Sequence, residues 1–282
     1  MKGSRRGTAA DSYPPAAGTN GASERGGDVP FVRIAPTLRS VRRLLLFVTA
    51  LGLLAAMACE PAEAAATVRL VDWQMNEAAG SSVMLDSSGN GINGSIGSAI
   101  QTGYQYAGAT GYHWGSTNPN GYPAKPERLV QVPNDRLNPG TRDYAVTVRF
   151  RTTHSYGNMI QKGQSETRGG YFKWEIPKGM LMCLYRSRDS KGNLLGQKAV
   201  TTPYALNDGA WHTVRCEKTI DRVTMTIDGT TVVRSSRSTI GPIGNTMPLT
   251  IGGKVACDQV KVTCDYFAGD IDWVRIEASS PS

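Results

Sequence analysis

Beyond residue 66 the chain alternates apolar and polar side chains at a period of two, as in Tyr144-Ala145-Val146-Thr147-Val148-Arg149-Phe150-Arg151. That period suits an extended strand with one face buried and one face wet. A helix would need apolar residues every three or four positions, and no stretch after residue 66 sustains that spacing. Strands are expected over 68–74, 129–132, 144–152, 158–162, 170–176, 180–186, 211–218, 222–227, 230–234, 249–252 and 269–276. Gly, Asn, Asp and Pro separate them. Asp228-Gly229 predicts a two-residue hairpin turn, whose central residues both need positive φ, and Ile176-Pro177-Lys178-Gly179-Met180 marks another turn. Many short strands bury their apolar faces by stacking sheet on sheet. The expected fold class is all-β, an antiparallel β-sandwich of two packed sheets.

The last strand raises a chemical question. Strict alternation over Gly269-Asp270-Ile271-Asp272-Trp273-Val274-Arg275-Ile276 places Asp272 on the same side as Val274 and Ile276, and Trp273 and Arg275 on the other. A carboxylate at the margin of a core needs a cation or several donors, because an unpaired buried charge costs several kcal/mol.

The N-terminal quarter reads differently. Residues 1–36 are rich in Gly, Ser, Ala, Pro and Arg and form a leader with too little apolar surface to offset its ordering entropy; a translation start further in, near Val32, would account for it. Residues 37–66 follow the order of a secretory signal peptide: Arg39, Arg42 and Arg43, the apolar run from Leu44 to Ala58, then small residues, with cleavage expected near Ala64 to Ala66. The run is shorter than the ~20 residues of a bilayer span, so no membrane span is expected after cleavage. Residues 67–282 then make one domain, and the protein is expected to be secreted. The formal net charge of +8 falls when the first 66 residues are removed, and no long Lys/Arg run occurs, so nucleic acid is not an expected partner.

Of the five cysteines, Cys59 lies in the signal, leaving Cys183, Cys216, Cys257 and Cys264. An even count in an exported chain argues for disulfides. Three pairings exist in principle. The expected pairs are Cys257–Cys264, bounding one tight loop, and Cys183–Cys216, each mid-strand and expected to join neighbouring strands.

Several segments taken together, in order, resemble the laminin G-like, concanavalin A-like jelly-roll domains of secreted bacterial proteins. They are Trp73-Gln74-Met75-Asn76-Glu77, Asp86-Ser87-Ser88-Gly89-Asn90-Gly91, Gly163 with Gly170-Tyr171-Phe172-Lys173, Asn207-Asp208-Gly209-Ala210-Trp211-His212, Val223 to Gly229, Ile251-Gly252-Gly253-Lys254 and Phe267 to Ile276. The resemblance runs from about Val68 to Ile276. It implies a jelly roll of about a dozen to fourteen strands, binding of glycans or extracellular protein, and often a calcium ion. Fold alone does not settle function, since hydrolases and lyases share the sandwich.

Calcium takes six to eight oxygens. Asp86 and Asn90 offer them on a Gly-rich turn, and Asp270 and Asp272 would close the site if the first and last strands pair, as the resemblance implies. The competing reading is an Asx-turn at Asp86 and an arginine partner for Asp272. A second feature is the aromatic-rich stretch holding Tyr104, Tyr106, Tyr112, His113, Trp114 and Tyr122. It reads as a loop whose rings, Tyr106, Tyr112, Trp114 and Tyr122 in particular, either stack on sugar faces or pack the loop onto the sandwich. Arg149 and Arg151 share one strand face and Arg186 and Arg188 another, either solvated or facing acidic polymers. The paired carboxylates of a glycosidase are not found, nor is a Ser/His/Asp or Cys/His set. Tyr171-Phe172-Lys173 resembles an alginate-lyase motif without its flanking residues. The sequence therefore points to a secreted, non-catalytic binding module for a glycan or cell-wall polysaccharide with a structural calcium ion. A hydrolase or lyase of the same fold and a protein-binding adhesion module are the alternatives.

Overall fold

The computed structural model describes residues 66–106, 109–121, 124–257 and 263–280. The expected leader, signal peptide and Cys59, and the candidate ring Tyr122, lie outside the described residues. The described chain forms two eight-stranded sheets. In the first, the order is β14 (Thr231–Arg234), β13 (Val223–Ile227), β12 (His212–Lys218), β7 (Tyr144–Arg151), β16 (Gly269–Ser279), β5 (Ala109–Trp114) and β4 (Gln101–Tyr106), with β1 (Thr67–Trp73) also on β16. In the second it is β11 (Leu194–Thr201), β10 (Met182–Arg188), β9 (Tyr171–Pro177), β8 (Tyr156–Lys162), β15 (Leu249–Ile251), β6 (Val130–Val132), β3 (Gly94–Ile96) and β2 (Val83–Met84). The strand pairings are antiparallel.

The alternation does what it predicts. On β7, Val146, Val148 and Phe150 are buried, while Thr147, Arg149 and Arg151 face outward. They pack with Val214 and Cys216 of β12 and with Phe172, Trp174 and Tyr185 of the second sheet in one core. The Asp228-Gly229 turn has φ of 49° and 72°, the paired positive values of a type I′ hairpin. Lys178 and Gly179 repeat the device, at 55° and 80°, between β9 and β10.

Both expected disulfides are present, Cys183–Cys216 with Cα atoms 6.5 Å apart and Cys257–Cys264 with Cα atoms 4.5 Å apart. The first does not join neighbouring strands: Cys183 is on β10 of the second sheet and Cys216 on β12 of the first, so the bridge fastens one sheet to the other through the core.

Two expectations are corrected. Strict alternation along the last strand fails, because the register between β16 and β7 shifts between Ile271 and Trp273. A bulge adds a residue and re-aims its side chain. Ile271, Val274 and Ile276 all reach the core, and Asp272 meets Arg149 instead. The aromatic stretch from Tyr104 to Trp114 is also not a loop. It is the β4–β5 hairpin at the edge of the first sheet, with β5 paired to β16 through Tyr112↔Ile271 and Trp114↔Gly269.

Candidate functional site

That register decides the fate of two candidate rings, Tyr112 and Trp114. Tyr112 and Trp114, two residues apart on β5, both point inward and are 0% and 1% exposed. The Tyr112 hydroxyl donates to Glu77 Oε2 at 2.5 Å, and Trp114 Nε1 donates to the Arg128 carbonyl at 3.1 Å. They are core residues, and the expectation of an open sugar platform at these two is corrected. Tyr106, also largely buried, lies elsewhere. Its ring crosses β5 at Gly111, where any side chain would run into the Tyr106 hydroxyl. It ends 4.5 Å from the ring of Trp211, which precedes β12.

The outward face of the first sheet is built from this point. Arg151 of β7, Asp270 of β16 and His113 of β5 stand abreast across three neighbouring strands. The Asp270 carboxylate accepts from Arg151 Nε at 2.6 Å through Oδ2 and lies 2.7 Å from His113 Nδ1 through Oδ1. One row along, Arg149 pairs with Asp272. The guanidinium of Arg149 sits 4.7 Å from the Trp211 ring centroid, and that of Arg151 lies 4.8 Å from Tyr106 and 5.2 Å from Trp211. Tyr104 stacks on His113 with centroids 4.7 Å apart. The Tyr106 hydroxyl is buried and has no hydrogen-bond partner among the described residues. Burial first, and then the nearby Asp272 and Asp270 charges, push its ionisation well above the ordinary tyrosine range. Beside this cluster runs a groove of about 400 Å³ lined by Tyr104, His113, Arg151, Thr153, His154 and Asp270, among others. Flat rings, forked donors and fixed carboxylate oxygens therefore share one face, with arginine stacking holding the rings in place.

The four residues expected to hold calcium fall into two separate arrangements. Asp86 caps its own turn: Oδ1 accepts from the backbone N–H of Asp72 and Ser88, and Oδ2 from the N–H of Ile92 and the hydroxyl of Ser88, at 2.9 to 3.1 Å. Burial opposes its ionisation, but these donors hold the carboxyl below its ordinary value. Asn90 turns its amide N–H toward the carbonyls of Arg69 and Leu70 and gives its oxygen to Arg136. Asp270 and Asp272 are engaged by His113, Arg151 and Arg149 as described. The donor set does not converge on one cation, and its oxygens already have partners. The Asx-turn and the arginine pair of the alternative reading are what the structure holds. Among the described residues no group of three or more His, Cys, Asp or Glu is arranged to hold a metal ion.

The family model for the laminin G domain matches residues 150–279. This part of the chain is similar to the laminin G domain family. The matched region runs from Phe150 near the end of β7 through Ser279 of β16, so it contains Arg151, Trp211, Asp270 and Asp272. The mouse laminin subunit alpha-1 is 29% identical over 123 residues, which is 43% of this chain but 4% of that protein. Among solved structures, the binding domain of botulinum neurotoxin DC in complex with rat synaptotagmin II has a TM-score of 0.52 at 12% identity, covering 76% of this chain and 49% of that one. The same domain in complex with SialylT has a TM-score of 0.51 at 11% identity, covering 76% and 48%. These two likenesses show a shared fold.

Sequence reading found Arg149 and Arg151 as a face, and Tyr104, Tyr106 and His113 as members of a ring-rich segment. It missed Trp211 as their partner. Its signal was available only as a large aromatic residue directly after the Asn207-Asp208-Gly209-Ala210 turn, where a ring is placed at a sheet end rather than within the core alternation.

Proposed function

We propose that the chain is an extracellular, non-catalytic binding module whose carbohydrate site is the Tyr104–His113–Trp211 face of the first sheet and its groove. The observation that carries this reading is the pairing of half-buried rings with arginine forks and carboxylates beside an open groove. Sugar rings offer C–H faces to aromatic side chains and hydroxyls to fixed donors and acceptors. Here each arginine is neutralised by its own aspartate, so the face suits a neutral sugar bound by orientation rather than by net charge. The two cystines fit an oxidising compartment. The neurotoxin structures of the same fold are binding domains, one with SialylT and one with synaptotagmin II, which is compatible with a binding role for this sandwich. A glycan array followed by titration calorimetry tests the reading. Trp211→Ala and Tyr104→Ala should each weaken the best array hit at least tenfold. Wild-type affinity in both variants would remove the site from this face.

A further inference from the structure

The outward face of the second sheet carries a separate polar constellation that the proposed sugar groove does not use. Lys173 stands between Gln161 of β8 and Leu184 of β10, with Tyr171 and Glu175 two residues to either side on β9. Its ammonium pairs with Glu175. From the connection after β15, Lys254 reaches across to Asp265. Tyr156 lies between the two pairs: its hydroxyl donates to Asp265 Oδ1 at 3.2 Å and sits close enough to Glu175 to feel its charge. Asp265 is held in the left-handed region at φ 51° with its side chain almost wholly buried. A strained non-glycine residue of this kind persists only where its surroundings fix it, and such residues gather at functional sites.

The arrangement is polarised. The two ammonium groups line a cavity of about 110 Å³ together with Gln161, Gln164, Ser165, Tyr171 and Thr263, while neither Glu175 nor Asp265 is part of the lining. Each ammonium has three N–H donors and one protein acceptor among the described residues. The remaining donors are left for the cavity. The Tyr171 hydroxyl has no partner among the described residues either, and Arg186 lies 5.3 Å from that ring centroid. Gln161 is already committed: its oxygen accepts from Asn158 and its amide donates to Gly163. The cavity thus offers spare ammonium donors and the Tyr171 hydroxyl, with the balancing carboxylates behind them, while the Thr263 hydroxyl is already donated to Asp265. Buried ion pairs add little stability over apolar packing, so stability alone does not account for two of them meeting at a cavity. Charge-assisted donors converging on a small space suit an oxyanion.

We infer that this cavity is a second binding site, which recognises a carboxylate group, and that Lys173 and Lys254 are its charged donors. The carboxylate could belong to a sugar acid or to a small free organic acid. The space admits the charged end of such a molecule rather than a chain of sugars. Attraction between the ammonium groups and the ligand is screened by salt.

Binding of galacturonate, galactose and acetate to the whole protein, followed by NMR line positions or calorimetry, tests the assignment. Galacturonate should bind at least tenfold tighter than galactose, and less tightly in 0.5 M NaCl than in 0.05 M. Acetate matching galacturonate would identify a free acid as the source, and acetate much weaker than galacturonate a sugar acid. Both keep the carboxylate assignment. The double variants Lys173→Gln with Glu175→Gln, and Lys254→Gln with Asp265→Asn, remove one ion pair each without leaving a charge unpaired, so folding is kept and checked by thermal melt. Either should erase the preference for galacturonate over galactose. Equal binding of galactose and galacturonate, or a preference that survives both folded double variants, would overturn the inference.

Discussion

The guanidinium of Arg149 lies 4.7 Å from the ring centroid of Trp211 while the same group pairs with Asp272. One side chain thus fixes both the aromatic surface and the carboxylate of the proposed sugar face. Arg149→Lys keeps the charge but loses the planar stack and the fork. A cation–π contact at a partly exposed site is worth ~0.5–1 kcal/mol, so a small fall in stability is expected. Sugar affinity should fall several-fold more than that loss alone explains, because Trp211 is no longer pre-set. Thermal melts and calorimetry on the same sample check this. An unchanged affinity would mean that the arginine does not organise the ring.

Trp114 gives the opposite outcome. It is 1% exposed and its indole N–H bonds the Arg128 carbonyl. Trp114→Ala should cost ~3–5 kcal/mol of stability, the range for truncating a large buried aromatic residue. A melt within a degree or two of wild type would return this ring to the surface.

These two tryptophans show what was legible and what was not. Period-two patterning was enough for the sandwich, the hairpin at Asp228-Gly229 and the outward placement of Arg149 and Arg151, because each depends on local spacing. The strands β4 and β5 were not legible, since Gly103, Gly108 and Gly111 interrupt their alternation and resemble a loop. Their burial follows from pairing with β16, a strand more than 150 residues away. The bulge at Asp272 is likewise a property of the β16–β7 register. Trp211 joins its partners only once β12, β7 and β4 are assembled. The pairing of the cysteines followed from their strand positions, but the sheet to which each strand belongs did not.

The Cys183–Cys216 bridge crosses the core between the sheets. Its loss should loosen the packing of one sheet on the other as well as lengthen the unfolded chain. Removing a native disulfide from a secreted domain typically costs ~2–5 kcal/mol. Cys216→Ser should lower the melting temperature clearly, and more than Cys264→Ser, whose bridge closes a loop with a sequence separation of 7 rather than 33. Equal losses for the two variants would argue against a cross-sheet role.

Chelation tests the ion. Asp86 is held by four protein donors and its carboxyl is already drawn below its ordinary value. EDTA followed by desalting should therefore leave the melting temperature unchanged, and calcium added back should not raise it. Asp86→Ala should be destabilising with or without calcium, because it strands buried backbone N–H groups at ~1–3 kcal/mol each when no water replaces the carboxylate. A calcium-dependent melt that Asp86→Ala abolishes would restore the sequence-based expectation of an ion.

Lys218 provides a pH signature of the fold itself. It is 1% exposed, at the end of β12, and its ammonium donates to the Arg142 carbonyl at 3.1 Å. Burial pulls its pKa down to about 8, with the Asp143 charge opposing the shift. The unfolded chain keeps a lysine near ~10.4. Between these values the unfolded state binds more protons than the folded one, so stability rises with pH across that window. The gain is complete above the unfolded value and is lost as pH falls through the folded one. At pH 7 the group is charged in both states and its burial penalty is fully present. Lys218→Met should then raise stability at pH 7, and its denaturation midpoint should climb less between pH 7.5 and 9.5 than that of the wild type, the remaining rise belonging to Lys162, whose pKa burial also pulls down. The window stops short of pH 10 because the buried Tyr144 and Tyr185 resist ionisation, and their cost appears above it. Parallel wild-type and variant curves across pH 7.5 to 9.5 would show that Lys218 is not the group that titrates.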